Sequence, residues 1–204
     1  MRIPRSTFIR IVALAIIGFA SVATAQTPPQ RIRGDVVSLD GNVLQVKSRA
    51  GEALTVKLAD NYAVSAVVKR DLAAVVPGTF IGTATLPNAD GTLQALEVLI
   101  FPEAARGSGE GHYSWDLQPG SMMTNATVFD VVKVDAAHRL TLKYKDGEKV
   151  VVVPPGAPIV TFEPGDRAML VPGAHIMFGA TKQPDGTLTA TRVNVGKDGL
   201  VPPM

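Results

Sequence analysis

Between Pro102 and Met123 the chain gathers most of the side chains that could do chemistry: His112, Tyr113, Trp115, Asp116, Met122 and Met123. Trp115 is the only tryptophan. An imidazole near two thioethers is a soft donor set that favours Cu(I), so His112, Met122 and Met123 define one candidate metal site. The other candidate is a ligand site in which His112, Tyr113, Trp115 and Asp116 offer aromatic and hydrogen-bonding groups to a small molecule. The remaining histidines, His138 and His175, lie far from His112 and form no metal-binding pair with it.

Catalytic chemistry finds less support. There is no cysteine, so neither a thiol nucleophile nor a disulfide can form. Gly107-Ser108-Gly109-Glu110-Gly111 has the glycine density of a phosphate loop, but it lacks the lysine and the strand-to-helix setting. No G-x-S-x-G elbow occurs. Glu103, Glu110 and Asp116 could pair for acid–base work, and a hydrolase would use Asp116 and Glu110, yet nothing fixes their spacing. The chain is therefore read as a non-enzymatic binding or structural module with no catalytic residue and no cofactor. Its partner would be a small molecule, a glycan or an envelope protein.

The segment holding these residues needs a frame. It breaks the alternating pattern on either side and carries four glycines. A mere spacer would be Ser-, Pro- or charge-rich and would not need aromatics, and long loops inside compact proteins tend to be functional or disordered. A second role is structural. On the strand before it, Leu99 and Phe101 point away from Leu96, Val98 and Ile100, leaving apolar surface that needs a cover. Trp115, Leu117 and the methionines could plug that seam, with Leu99, Phe101 and Leu117 at its centre.

The frame is repeated. Val75-Val76-Pro77-Gly78 and Asp90-Gly91-Thr92-Leu93 return as Leu170-Val171-Pro172-Gly173 and Asp185-Gly186-Thr187-Leu188, both 95 residues later. Upstream the offset is 96, aligning Leu44 with Leu140, Val46 with Leu142 and Val56 with Val152. Such order implies duplication of a folding unit. In each copy apolar residues alternate (Leu44, Val46 then Val56, Leu58; Leu140, Leu142 then Val150, Val152), the mark of strands with one buried face. Short strands follow Gly, Pro and Asp-Gly turns. Asp71 and Asp166 are placed to cap a short helical turn that Pro77-Gly78 and Pro172-Gly173 end. The order predicts an all-β chain of two tandem OB-like Greek-key barrels, with a plain sandwich as the alternative. Repeat one covers 26–101, the central segment 102–123 and repeat two 124–204.

The first ten residues carry Arg2, Arg5 and Arg10 and no acid, followed by an apolar run from Ile11 to Val22 and the triplet Ala23-Thr24-Ala25. This is a secretory signal peptide over 1–25, cleaved after Ala25, and the run is short of the roughly 20 residues of a membrane span. Export to the periplasm or beyond follows. Without residues 1–25 the chain holds 17 basic and 18 acidic residues, a formal charge of −1. That balance gives no pull toward nucleic acid or an anionic membrane. Lys47, Arg49, Lys143 and Lys145 face outward on matching strands, where they discourage edge pairing. Asn125-Ala126-Thr127 has the form of a glycosylation sequon.

The alternating strands, the VPG…DGTL endings and the central run RGSGEGHYSWDLQPGSMMTNATV together resemble a family of exported bacterial proteins of unassigned function with tandem small β-barrel domains. The resemblance covers essentially the whole chain after the signal peptide. It implies architecture and location rather than mechanism. Some similar sequences carry a metal-transporter permease name, which would require membrane spans that no later segment is long enough to supply.

Overall fold

The computed structural model describes residues 29–134 and 137–204; the expected signal peptide lies outside them. The chain is all-β, as its alternation predicts. Its strands are β1 (Gln30–Asp40), β2 (Val43–Ser48), β3 (Ala53–Lys69), β4 (Phe80–Pro87), β5 (Leu93–Ala95), β6 (Val98–Ile100) and β7 (Gly111–Ser114). They continue as β8 (Met122–Val134), β9 (Ala137–Tyr144), β10 (Gly147–Val153), β11 (Ile159–Pro164), β12 (His175–Lys182) and β13 (Leu188–Gly196). Among the described residues no helix is long and apolar enough to cross a membrane.

The strands close into two five-stranded rings rather than a sandwich. One ring runs β1-β2-β3-β13-β12 and returns to β1; the other runs β8-β9-β10-β5-β4 and returns to β8. Each has one parallel contact, β3 with β13 in the first (Val64 opposite Val193) and β10 with β5 in the second (Val151 opposite Leu93). Closure leaves few unpaired edges. Alternating residues fill the interiors: Leu44, Val46, Val56 and Leu58 in the first barrel, Leu140 and Leu142 in the second. On β10 the expected register is off by one: Val151 and Val153 fill the barrel, while Val150 and Val152 are only half-buried.

The barrels do not coincide with the stretches 26–101 and 124–204. Barrel one takes three strands from the first stretch and its closing pair, β12 and β13, from the second. Barrel two takes β8, β9 and β10 from the second stretch and β4 and β5 from the first. The halves have exchanged their closing hairpins. The two hairpins are not equivalent where they line the barrels: Thr83 and Thr85 of β4 stand at the positions of Phe178 and Ala180 of β12.

Local signals land where the residues require. The Asp71 and Asp166 carboxylates each accept a 2.7 Å hydrogen bond, from the amides of Ala73 and Ala168, capping short 3-10 turns. Asp90 and Asp185 accept from the amides of Thr92 and Thr187 in the hairpin turns. Between the barrels β11 pairs antiparallel with the end of β3 and parallel with β6. There Val67, Leu99, Val160 and Met204 form a third apolar cluster, flanked by Phe101, Phe162 and Met177.

Candidate functional site

The central segment is ordered. After a 3-10 turn at Glu103–Ala105 it forms edge strand β7, whose partner is β8, and then a loop closed by Ser121. The Trp115 amide donates to the Ser121 carbonyl at 2.8 Å, and the Ser121 hydroxyl lies 3.0 and 2.7 Å from the Trp115 and Gln118 carbonyls. Asp116 then anchors the loop to barrel one, with Oδ1 2.8 Å from Arg33 Nη2 and 3.4 Å from Arg31 Nη1. Burial pushes the Asp116 carboxyl up, but the Arg33 hydrogen bond and the two arginine charges outweigh it and hold the pKa below its ordinary value. The Arg31 guanidinium also lies over the Trp115 ring, 3.6 Å from its centroid.

Pleating sorts the chemistry of β7 and β8 onto two faces, since directly opposed residues share a face. His112 opposes Thr124 and bonds to it, Nδ1 to Oγ1 at 2.8 Å; Tyr113 opposes Met123, and Ser114 opposes Met122. Tyr113, Met123 and Asn125 thus share one side, whereas His112 and Met122 occupy the other. The donor set His112, Met122, Met123 is divided by the sheet and does not converge. Burial, and then the charge of Lys149, lower the pKa of His112. Burial raises that of Tyr113 against the opposing charge of Arg31.

The Tyr113 side faces the seam, where Glu97, Trp115, Met123 and Asn125 meet Phe101, Phe162, Met177 and Met204 around a cavity of about 80 Å3. Glu97 gets there through a bulge. Thr85 opposes Ala95 but Ile81 opposes Ile100, so β5–β6 carries one extra residue against β4, and such bulges re-aim a side chain. The Ala84 amide donates to Glu97 Oε1 at 2.7 Å, and the Thr83 hydroxyl donates to the Glu97 carbonyl at 2.6 Å. Glu97 is wholly buried, which pushes its pKa up to about 8 against the pull of the Ala84 hydrogen bond. It is therefore largely protonated at neutral pH.

Asn125 Nδ2 donates to the Ser108 carbonyl at 3.0 Å and to the Tyr113 hydroxyl at 3.2 Å. Its side chain lies on Gly82, where an added Cβ would stand 2.6 Å from Asn125 Oδ1 and 3.0 Å from Phe101 Cε2. A larger residue at position 82 would displace both walls. Three buried polar atoms have no hydrogen-bond partner among the described residues: Glu97 Oε2, Trp115 Nε1 and Asn125 Oδ1. All three residues line this one cavity. Buried polar atoms are nearly always paired, so their convergence marks the cavity as a site.

Other surfaces are weaker. Grooves of about 440 and 560 Å3 flank the 197–199 turn but hold none of the unpartnered atoms. Asp35 and His175 pair at 2.6 Å on the rim of the larger, with no hydroxyl bonded to that imidazole among the described residues. No group of three or more His, Asp or Glu side chains able to hold a metal occurs among the described residues.

Of the residues singled out by sequence, Trp115 lines the cavity, Tyr113 supports it, Asp116 anchors the loop and His112 faces elsewhere. Leu99 and Phe101 are in the seam. Leu117 is not; it lies with Arg31, Arg49 and Leu54 against barrel one. The cover for Leu99 and Phe101 comes mainly from Val160, Phe162, Met177 and Met204. Arg49 is not a free outward cation, since Nη2 donates to the Pro202 carbonyl at 2.6 Å. Asn125 is buried, so its sequon is not displayed. Sequence reasoning missed Glu97, Asn125, Met177 and Met204. For Glu97 a signal existed: an acid inside the apolar run Leu96 to Phe101, at the same parity as Leu99 and Phe101.

No family model matches the chain, and no curated protein or solved structure matches it.

Proposed function

We propose that this is an exported, non-enzymatic binding module whose two barrels grip a small ligand in the seam cavity. The observation that carries the reading is the convergence of Glu97 Oε2, Trp115 Nε1 and Asn125 Oδ1, all unpartnered, on one apolar cavity. Leaving such groups unpaired costs roughly 1–3 kcal/mol each, a burden that a bound partner relieves. The basic start, apolar run and Ala23-Thr24-Ala25 support export, as does the resemblance to exported tandem-barrel proteins. N-terminal sequencing of the protein from its native host tests that part, with Gln26 as the expected first residue.

Ligand binding is tested by crystals soaked in mixtures of small organic solutes. Density for a solute bonded to at least two of the three atoms is expected. Ordered waters alone on all three, unchanged across the mixtures, would remove the reading.

One observation favours a second reading. Met123, Met177 and Met204 line the same cavity, and thioethers suit Cu(I). Periplasmic handling of a soft metal would then use this trio in place of the divided set His112, Met122, Met123. Titration with Ag(I), a redox-inert stand-in for Cu(I), separates the two by its stoichiometry.

A further inference from the structure

The chemistry of the three unpartnered atoms specifies what they would recognise. Trp115 Nε1 is a donor only, and Asn125 Oδ1 is an acceptor only. Glu97 uses Oε1 to accept from the Ala84 amide at 2.7 Å, so its proton sits on Oε2 and makes that atom a second donor. The site thus offers two donors and one acceptor. Among common ligand groups a hydroxyl, with two lone pairs and one O–H, answers that set with nothing left over. A carboxylate has no donor for Asn125. An ammonium has no acceptor for Trp115 or Glu97. A carboxamide leaves one N–H unserved.

Placement agrees with this count. The Glu97 carboxyl is fixed at the Ala84 amide, while the Asn125 side chain lies over Gly82. These anchor points are two residues apart along β4, so both side chains belong to one short stretch of the wall. The rest of the wall is Leu99, Phe101, Phe162 and methionines, which suit an alkyl or aryl body. At about 80 Å3 the cavity is around half the volume of an engineered pocket that admits benzene. It fits a short alcohol, or the hydroxyl-bearing end of a longer apolar molecule.

Resting on the binding reading above, we infer that the seam cavity selects an uncharged, hydroxyl-bearing apolar molecule, held by Trp115, Glu97 and Asn125. Charge is disfavoured because an anion would meet no cationic side chain in this wall, and a cation would first have to ionise the buried Glu97 carboxyl.

The test uses the purified protein carrying 13C-methyl methionine. Met123, Met177 and Met204 report on the cavity, while Met122 and Met169, which do not line it, serve as internal controls. The probes are 2-methylpropan-1-ol, 2-methylpropylamine, 2-methylpropanoate and Ag(I), at pH 6.5. The alcohol is expected to shift the three cavity methyls saturably, in the millimolar range reasonable for so small a ligand. The amine and the carboxylate should bind at least about tenfold more weakly. Trp115→Phe, which keeps a ring and removes the N–H, should weaken the alcohol by about tenfold while leaving the methyl spectrum folded. Equal or tighter binding of either charged probe, or stoichiometric Ag(I) at those methyls, overturns the hydroxyl assignment and leaves a binding cavity standing. No shift of the three methyls with any probe, in a protein whose spectrum is folded, overturns the assignment and the binding reading together.

Discussion

Val67 on β3 and Phe162 on β11 face one another in register, and they are 95 residues apart, the same offset that separates the repeated motifs. Around this pair the contacts are reciprocal. Ser65 opposes Pro164 and Lys69 opposes Val160, and each is the other's counterpart at that offset. Farther out, Val98 opposes Ile159 just as Val193 opposes Val64. This is the form of an isologous contact between two copies of one unit, here made within a single chain. Neither half owns a complete barrel.

That exchange makes a strong expectation for fragments. Cut at the exposed Gly107–Gly109 turn, neither 29–107 nor 108–204 alone should give a cooperatively folded monomer, because each lacks the partner's closing hairpin. Mixed in equal amounts they should recover the near-ultraviolet circular dichroism of the intact chain. A folded monomer of either fragment, seen by light scattering with a sharp thermal transition, would contradict the exchanged topology.

Glu97 sets the pH dependence. Its pKa rises from the ordinary 4.5 to about 8 on burial, so between those values the native state binds more protons than the unfolded chain. Its contribution to stability is therefore full below pH ~4.5 and falls by at most about 1.4 kcal/mol per pH unit up to pH ~8. Above that it levels off. Glu97→Gln keeps the acceptor for the Ala84 amide and removes the ionisation. Urea denaturation at successive pH values should show the decline in the native protein and its absence in the variant; parallel curves would contradict the account.

Gly82 and Asn125 should be coupled. Gly82→Ala places a methyl 2.6 Å from Asn125 Oδ1, and overpacking of this kind costs about 1–3 kcal/mol. Asn125→Ala opens the space. The double variant should lie above the sum of the single ones by roughly 0.5–3 kcal/mol, measured as a double-mutant cycle in urea. Additivity would mean that the two positions do not share the wall.

The Asp116 anchor is partly exposed, and its energy is correspondingly small. Asp116→Asn should cost about 1 kcal/mol or less in global stability. Its effect belongs to the loop: amide exchange in residues 111–121 should accelerate while the barrel amides keep their protection. Uniform acceleration throughout would show that the anchor holds the whole fold rather than the cavity's cover.

How far the sequence speaks depends on the range of the interaction. Leu44, Val46, Leu140 and Leu142 announce their strands because alternation is local. Asp71 and Asp166 announce their caps because the cap spans two residues. Leu99 and Phe101 reveal an outer apolar face for the same reason. The exchange is silent, since Leu93 and Leu188 follow like turns and the pairing that assigns each hairpin to a barrel is long-range. Glu97 leaves a trace, an acid at the parity of Leu99 and Phe101, but the one-residue bulge that takes it out of register with Ala95 does not show in the strand pattern. Met177 and Met204 reach the cavity only through tertiary packing, and the sheet register divides His112 from Met123 although the residues lie close in sequence.

The pairing of Gln30 with Ala180 fixes when this protein can fold. The first strand of barrel one pairs at once with β2, but its second neighbour comes only some 150 residues later. A chain emerging in order, from a ribosome or through a translocation pore, cannot close either ring early: the first waits for β12 and β13, and the second for β8 through β10. Long-range pairing of this kind slows folding. The hairpin exchange thus makes closure of both barrels depend on strands from the second half of the chain.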